Sequence, residues 1–214
     1  MIRDAGLLRL VRVMMFELRH RLVFLRHGET DWNAQGRLQG HADIALNGRG
    51  EAQAEEAGKI VGRILGRDIA RLSGFDYVAS PLVRARRTME LARGSLGLDP
   101  FTYRLDDRLK EMSFGRWEGF TWPEVKAADP DMADRREADK WFLQPPGGES
   151  YAMLAQRLQP WLETIACDTV AVAHGGVARC LMHLLGGAAT ERAPMSDIWQ
   201  GRVLVFEAGS YRWI

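Results

Sequence analysis

Short apolar runs that alternate with helix-patterned stretches constrain this chain more than any other feature of its sequence. Leu22-Val23-Phe24-Leu25, Phe75-Asp76-Tyr77-Val78-Ala79 and the stretch from Thr169 to Ala173 carry few polar side chains. A strand wetted on one face alternates apolar and polar residues. A continuous run fits a strand buried on both faces, as in a parallel sheet covered by helices. Between the runs, Asn47 is placed to cap a helix whose apolar positions Ala57, Ile60, Val61, Ile64 and Leu65 recur at helical spacing. Ser80-Pro81 reads as an N-cap with proline at the first helical position, ahead of Ala85, Thr88, Met89 and Ala92 on one face. Residues 150 to 166 read as a helix that Pro160 kinks or shifts. Another helix runs from about Val177 to a stop at Gly186-Gly187. Val203 to Phe206, Gly209-Ser210 and Tyr211 to Ile214 form a hairpin pattern. The alternation predicts an α/β fold with a doubly wound, mainly parallel sheet flanked by helices. Asp99 to Glu149 breaks the pattern and reads as an inserted excursion, part helical, laid over one end of the sheet.

Length and composition narrow the function classes. The chain has 214 residues, suited to one α/β domain, here residues 19–214, preceded by an accessory segment at 1–18. That segment is apolar but broken by Arg3, Asp4, Arg9 and Arg12, so it lacks the run of a secretory signal. An amphipathic helix, a weak organelle-targeting segment and a start codon placed too far upstream, with Met14 or Met15 as the true start, are the open readings of it. Cys167 and Cys180 fit a reducing compartment, and cytoplasm is the expected location. Lys plus Arg total 29 against 28 Asp plus Glu, a net charge of +1, which gives no global reason to bind nucleic acid or an anionic membrane. No run is long enough to span a bilayer. The cations are unevenly divided, with 25 Arg and 4 Lys, and arginine offers rigid forks suited to a tetrahedral anion.

In open α/β sheets ligands bind beyond the carboxyl ends of the strands. Arg26-His27-Gly28-Glu29-Thr30 follows the first apolar run, Ser80 to Arg84 follows the second and His174-Gly175-Gly176 follows the third. Glu111 opens the excursion. A lone histidine at a strand end is ordinarily structural; two strand-to-His-Gly junctions with arginines in similar places point to a site. Histidine is a nucleophile at neutral pH when one ring nitrogen is unprotonated and the other is held by an acceptor. Arg26 and Arg84 offer forks for phosphate oxygens, and a helix beginning after His174 adds an N-terminus. The set describes a pocket for a dianionic phosphoryl group. Zinc, the rival use of two histidines, needs further ligands at metal-type spacing, which neither cysteine provides. No Walker loop is present. The expectation is therefore no metal and no cofactor.

Leu25-Arg26-His27-Gly28-Glu29-Thr30 with Trp32-Asn33 resembles the signature of the histidine phosphatase, or phosphoglycerate mutase-like, superfamily. Further motifs follow in the family's order: Leu38-Gln39-Gly40, the stretch from Asn47 to Ala54, Ser80-Pro81-Leu82 with Arg84-Ala85 and Thr88, Glu111 with Phe114-Gly115 and Trp117-Glu118-Gly119, and Ala173-His174-Gly175-Gly176. The resemblance covers about residues 20 to 206. It implies that His27 is the nucleophile and becomes a phosphohistidine. It also implies that Arg26, Arg84 and His174, helped by Asn33 and Gly175, hold the phosphoryl oxygens. Glu111 would then be the general acid and base, and Gln39 and Gly40 would border the substrate. A dianion beside His174 is expected to raise its pKa and keep it cationic.

Within the family, mutases similar to this chain carry Phe-Thr-Gly-Trp where Leu38-Gln39-Gly40-His41 stands, and Asn-Ser after the second His-Gly. Trp117-Glu118-Gly119 and Pro146-Gly147-Gly148-Glu149-Ser150 resemble the phosphatase side, including α-ribazole phosphatase-like and broad-specificity members. The reading is a metal-independent phosphomonoesterase acting on a small phosphorylated metabolite. Mutase-type phosphoryl transfer is the alternative, followed by a non-catalytic phospho-ligand module. Arg86, Arg87 and the stretch Asp106-Asp107-Arg108 read as solvated charge, and His183 as helix packing. His41 is either a substrate contact or a solvated loop residue. Trp117 and Trp122 either pack the excursion or wall the pocket.

Overall fold

The computed structural model describes residues 16–66 and 68–214. Most of the expected accessory segment 1–18 lies outside the described residues. Six strands form one sheet: β1 (Leu22–Arg26), β2 (Asp76–Ala79), β3 (Arg104–Leu105), β4 (Thr169–Ala173), β5 (Val203–Glu207) and β6 (Ser210–Trp213). Their order is β3-β2-β4-β1-β5-β6. The pairings β3-β2, β2-β4 and β4-β1 are parallel, and β5 and β6 add antiparallel strands at one edge. Helices α1 (Asp31–Ala34), α2 (Gly48–Leu65), α3 (Ile69–Ser73), α4 (Val83–Ser95), α5 (Trp122–Ala128), α6 (Pro130–Ala138), α7 (Tyr151–Leu162) and α8 (Gly175–Gly186) complete the described fold.

Continuous apolar runs are needed because the sheet is covered on both faces. Along β1, Leu22 and Phe24 enter a core shared with α7 and α8, while Val23 and Leu25 enter one shared with α2 and α4. All four side chains are fully buried. Residues two apart share a face, so each strand feeds both cores in turn. Gly50 and Gly58 of α2 allow close backbone approach: a side chain at Gly50 would meet the Glu29 carbonyl, and one at Gly58 would meet α4 at Ala92. Asn47 caps α2, its Oδ1 accepting from the Gly50 N–H at 2.9 Å.

Three local readings are corrected. Ser80-Pro81 does not begin α4. That helix starts at Val83, its N-cap residue is Leu82, and the side chain that meets its first N–H is Asp43, whose Oδ1 accepts from Val83 at 2.7 Å. Ser80 is drawn away by His174. Helix α8 begins at Gly175, directly after His174, rather than near Val177. Pro160 does not shift the start of α7, which stays at its Ser150 cap, and it lies inside the helix two residues from the end.

The excursion is partly helical, as expected, and builds a small core of its own. Trp117, Val125 and Ala133 are buried together, and Trp122 meets Trp117 edge-on at 5.8 Å. Both tryptophans therefore pack the excursion. It is tied to the loop after α1, where Leu38 N donates to Phe120 O at 2.9 Å and Gly119 N to Leu38 O at 2.8 Å.

The hairpin turn is Ala208-Gly209, one residue earlier than the sequence pattern implies. Both residues have positive φ, 50° and 71°, as a two-residue turn matched to strand twist requires. Alanine in this left-handed region costs about 1 kcal/mol. Replacing Ala208 by asparagine should therefore raise unfolding stability by about 0.5–1 kcal/mol in urea titration with an unchanged m-value.

Candidate active site

Strands β1 and β4 lie side by side in parallel register, with Arg26 opposite Ala173. The chain leaves β1 toward α2 on one face and leaves β4 into α8 on the other. This divergence opens a crevice at the carboxyl ends of adjacent strands. His27 and His174 are the residues that follow the two strand ends, and the His27 N–H donates to the Ala173 carbonyl at 2.9 Å. Their rings lie 5.1 Å apart, tilted by 58°.

The His27 tautomer follows from its neighbour. Nδ1 lies 2.7 Å from the Gly28 carbonyl oxygen, which only accepts, so Nδ1 carries the proton and Nε2 the lone pair. The loop that makes this contact is fixed from both sides. Thr88 Oγ1 on α4 accepts from Gly28 N at 3.1 Å and donates to Arg84 O at 2.8 Å. A side chain at Gly28 would collide with the Gly50 carbonyl.

Both arginines are held by carbonyls. Arg26 Nη1 donates to Ile198 O at 2.7 Å. Arg84, fully buried, donates from Nη1 to Ala42 O at 2.7 Å and from Nη2 to Gly40 O at 2.8 Å. Gly40 thus stands behind Arg84; with φ of 51° and Glu118 and Phe114 against it, it has no room for a side chain. Carbonyls orient a guanidinium without neutralising it, and neither arginine forms an ion pair among the described residues. Burial lowers the pKa of both, that of Arg26 to about 10, with Glu111 opposing the shift.

Of five buried side-chain polar atoms without a partner among the described residues, four belong to the expected site: Arg26 Nε, Arg84 Nε, His174 Nδ1 and Gln39 Oε1. Asn33 is fixed through its Oδ1, which accepts from Thr30 N at 3.2 Å in a capping box and from Gln200 Nε2 at 3.1 Å. Glu111 closes the other side. Its Oε1 accepts from Met112 N at 2.9 Å, and both its oxygens lie 3.1 Å from Gly176 N in the first turn of α8. A side chain at Gly176 would strike the Glu111 carboxylate, and one at Gly175 would come within 3.8 Å of the Arg26 guanidinium.

The two histidines are shifted in the same direction by their surroundings. With only the pocket's own charges around it, His174 has its pKa pushed well below 6.5, first by burial and then by Arg84, His27, Arg26 and His41. His27 is lowered likewise, by burial, Arg84 and Arg26, against a smaller opposing effect of the Gly28 hydrogen bond.

Some supporting contacts escaped the sequence reading, which placed Ser80 at a ligand-binding strand end but gave it no histidine partner. Ser80 Oγ meets His174 Nε2 at 2.7 Å, although Ser80 reads as a helix cap. Gln200 and the Ile198 carbonyl come from an irregular stretch with no periodic signal. His41 lies over the acid-bearing segment, its Nε2 donating to the Glu111 carbonyl at 2.7 Å. His183 is a packing residue against Trp141, as expected, with ring centroids 4.6 Å apart. Among the described residues no group of three or more His, Cys, Asp or Glu is placed to hold a metal ion. No described helix is long and apolar enough to cross a membrane.

The model of the histidine phosphatase superfamily (branch 1) matches residues 22–214. The chain belongs to that superfamily. A 2,3-bisphosphoglycerate-dependent phosphoglycerate mutase of Methylobacterium radiotolerans is 33% identical over 193 residues, covering 86% of this chain and 88% of the relative. A glucosyl-3-phosphoglycerate phosphatase of Mycolicibacterium vanbaalenii is 34% identical over 189 residues, covering 82% and 78%. The solved structure of a mycobacterial glucosyl-3-phosphoglycerate phosphatase complexed with VO3 superposes with a TM-score of 0.74 at 29% identity, covering 91% of this chain and 96% of that one.

The lowered histidines set a pH dependence of stability. Both titrate near 6.5 when unfolded and lower when folded, so below that pH the unfolded chain binds more protons than the native one. Their contribution is complete above about pH 6.5 and is lost as pH falls through the folded values. Melting temperature should fall on going from about pH 7 to about pH 5, and less steeply in a His27→Gln/His174→Gln variant. An identical slope in that variant contradicts the assignment.

Proposed function

We propose that the chain is a phosphomonoester hydrolase that acts through a phosphohistidine on His27. The observation that carries this reading is that Arg26 Nε, Arg84 Nε and His174 Nδ1 are buried without a partner among the described residues, in the neighbourhood of a histidine, His27, whose Nδ1 carries the proton and whose Nε2 bears the lone pair. In this reading the Nε2 pair forms a bond to phosphorus while the bond to the leaving oxygen breaks. The Glu111 proton goes to that oxygen. Water then gives a proton to the Glu111 carboxylate as its oxygen bonds to phosphorus, and the N–P bond breaks to regenerate neutral His27.

Arg26, Arg84, His174 and Asn33 would spread the phosphoryl charge, and the N-terminus of α8 adds its dipole at Gly175 and Gly176. His174 takes up a proton with the dianion, since the charge that arrives outweighs the lowering by Arg84 and Arg26. Gln39, whose buried Oε1 lacks a donor, offers an acceptor to a substrate hydroxyl or to the leaving group's edge. The substrate is a small phosphate ester. The named relatives on both the mutase and the phosphatase side have a phosphoglycerate unit in their names, so phosphorylated glycerates and their glycosides head the set to assay.

The mutase relative supports a second reading, phosphoryl transfer between the hydroxyls of phosphoglycerate. Release of inorganic phosphate from p-nitrophenyl phosphate without added bisphosphate supports the hydrolase. Interconversion of 2- and 3-phosphoglycerate only after priming supports the mutase. A protein that binds phosphate esters and turns none over is the third outcome.

In the hydrolase, His27→Ala should reduce phosphate release by about 10⁴ or more. Glu111→Gln should lower kcat/KM by about 10²–10³ for alkyl phosphates and far less for p-nitrophenyl phosphate, whose leaving group needs no proton. Equal losses with both substrates contradict the acid role.

A further inference from the structure

The segment that carries Glu111 belongs to no helix or sheet ladder. It lies between a 3-10 turn at Asp107–Leu109 and another at Gly115–Trp117, with irregular backbone between them. A catalytic carboxyl on such a segment is only as well placed as the side chains that fix its main chain. Here one guanidinium fixes most of it. Arg157, on α7, donates from Nη1 to Arg108 O at 2.7 Å and Lys110 O at 3.1 Å, and from Nη2 to Glu111 O at 3.3 Å. Its other two N–H groups form a fork with Glu149, Nε to Oε1 at 3.2 Å and Nη2 to Oε2 at 2.9 Å. All five N–H groups of the side chain are thereby assigned.

Glu149 continues the clamp on the far side of the acid. Its Oε2 accepts from Ser113 N at 3.1 Å, and its own N–H donates to Ser113 O at 2.8 Å. The pair thus grips residues 108, 110 and 111 from one end and residue 113 from the other. Arg157 and Glu149 keep side-chain exposures of 23% and 20%, so as an ion pair they add little to stability. What they add is geometry.

We infer that the Arg157–Glu149 pair is a positioning device for Glu111, acting beside the His41 contact to the Glu111 carbonyl and holding the acid's main chain on both sides so that its carboxyl meets Gly176 N–H and the reacting oxygen. Neither side chain touches the reacting atoms. The inference rests on Glu111 being the general acid of the proposed hydrolase. The planar fork is essential, because a lysine ammonium has three donors and cannot bind three carbonyls and a carboxylate together.

The test compares kcat/KM for p-nitrophenyl phosphate and n-butyl phosphate, since this ratio reports steps up to phosphoryl transfer. Arg157→Gln should lose on the order of ten- to hundredfold with butyl phosphate and less than about threefold with nitrophenyl phosphate. Arg157→Lys should lose nearly as much with butyl phosphate despite keeping its charge. Adding Arg157→Gln to Glu111→Gln should cause no further loss with butyl phosphate. Equal losses with the two substrates, or additive losses in the double variant, overturn the inference. Should Arg157→Gln fail to fold, Glu149→Gln carries the same comparison, with the same split expected and the same equal loss contradicting it. If Glu111→Gln itself shows no split, the acid assignment has failed rather than the clamp.

Discussion

Two guanidiniums buried against carbonyl oxygens are the interaction on which the rest of this structure depends. A charged group taken from water keeps its charge only if hydrogen bonds and nearby opposite charge compensate the lost solvation. Arg26 and Arg84 have the hydrogen bonds, from Ile198, Ala42 and Gly40, but no carboxylate in contact. The crevice is therefore a concentrated positive field in a chain whose net charge is only +1. Global balance and local excess coexist because the opposing carboxylates are spent elsewhere, on pairs such as Arg104–Asp76 and Arg21–Glu207. Burial first, and this field second, hold the pKa of both histidines below the ordinary imidazole value. The roles proposed for His27 and His174 both rest on that combination of burial and nearby positive charge.

The topology makes that field possible. Parallel β1 and β4 end together, and their successors diverge to opposite faces, so two His-Gly turns meet with neither helix blocking the other. Close backbone approach at Gly28 and Gly176 lets α2 and the Glu111 carboxylate reach the same small volume. The excursion brings Glu111 to the open side and stabilises itself through the small core around Trp117. Positions without side chains are as necessary to the site as the charged ones.

Much of this was legible from residue order alone, and the limits have physical causes. Buried strands announce themselves by uninterrupted apolar runs, so β1, β2, β4 and β5 were visible, as were α2 and its Asn47 cap. Arg26, His27, Arg84 and His174 were visible because the carboxyl ends of those strands are where a doubly wound fold places ligands, whereas Asn33, Gln39, Gly40 and the role of Glu111 came from the resemblance to the family. Ser80 was misread because the same Ser-Pro pair that suits a helix cap also suits a strand end, and only the tertiary contact with His174 separates them. Gln200 and Ile198 act through an amide and a backbone carbonyl, which carry no periodic signal. The Arg157–Glu149 fork joins positions eight residues apart, and its carbonyl partners lie more than forty residues away, so no local pattern reveals it. The protonation of His174 depends on the sum of burial and four neighbouring groups and follows only from coordinates.

The central claim is that a neutral His27 receives the phosphoryl group. The direct measurement is rapid acid-free quenching of the protein during turnover of a phosphate ester, followed by mass spectrometry of the peptide that contains His27. A base-stable, acid-labile phosphate on His27, absent from the His27→Ala protein and accumulating in Glu111→Gln when p-nitrophenyl phosphate is the substrate, is the predicted result. Phosphate on another residue, or steady turnover with no phosphoenzyme while His27→Ala stays active, would contradict it.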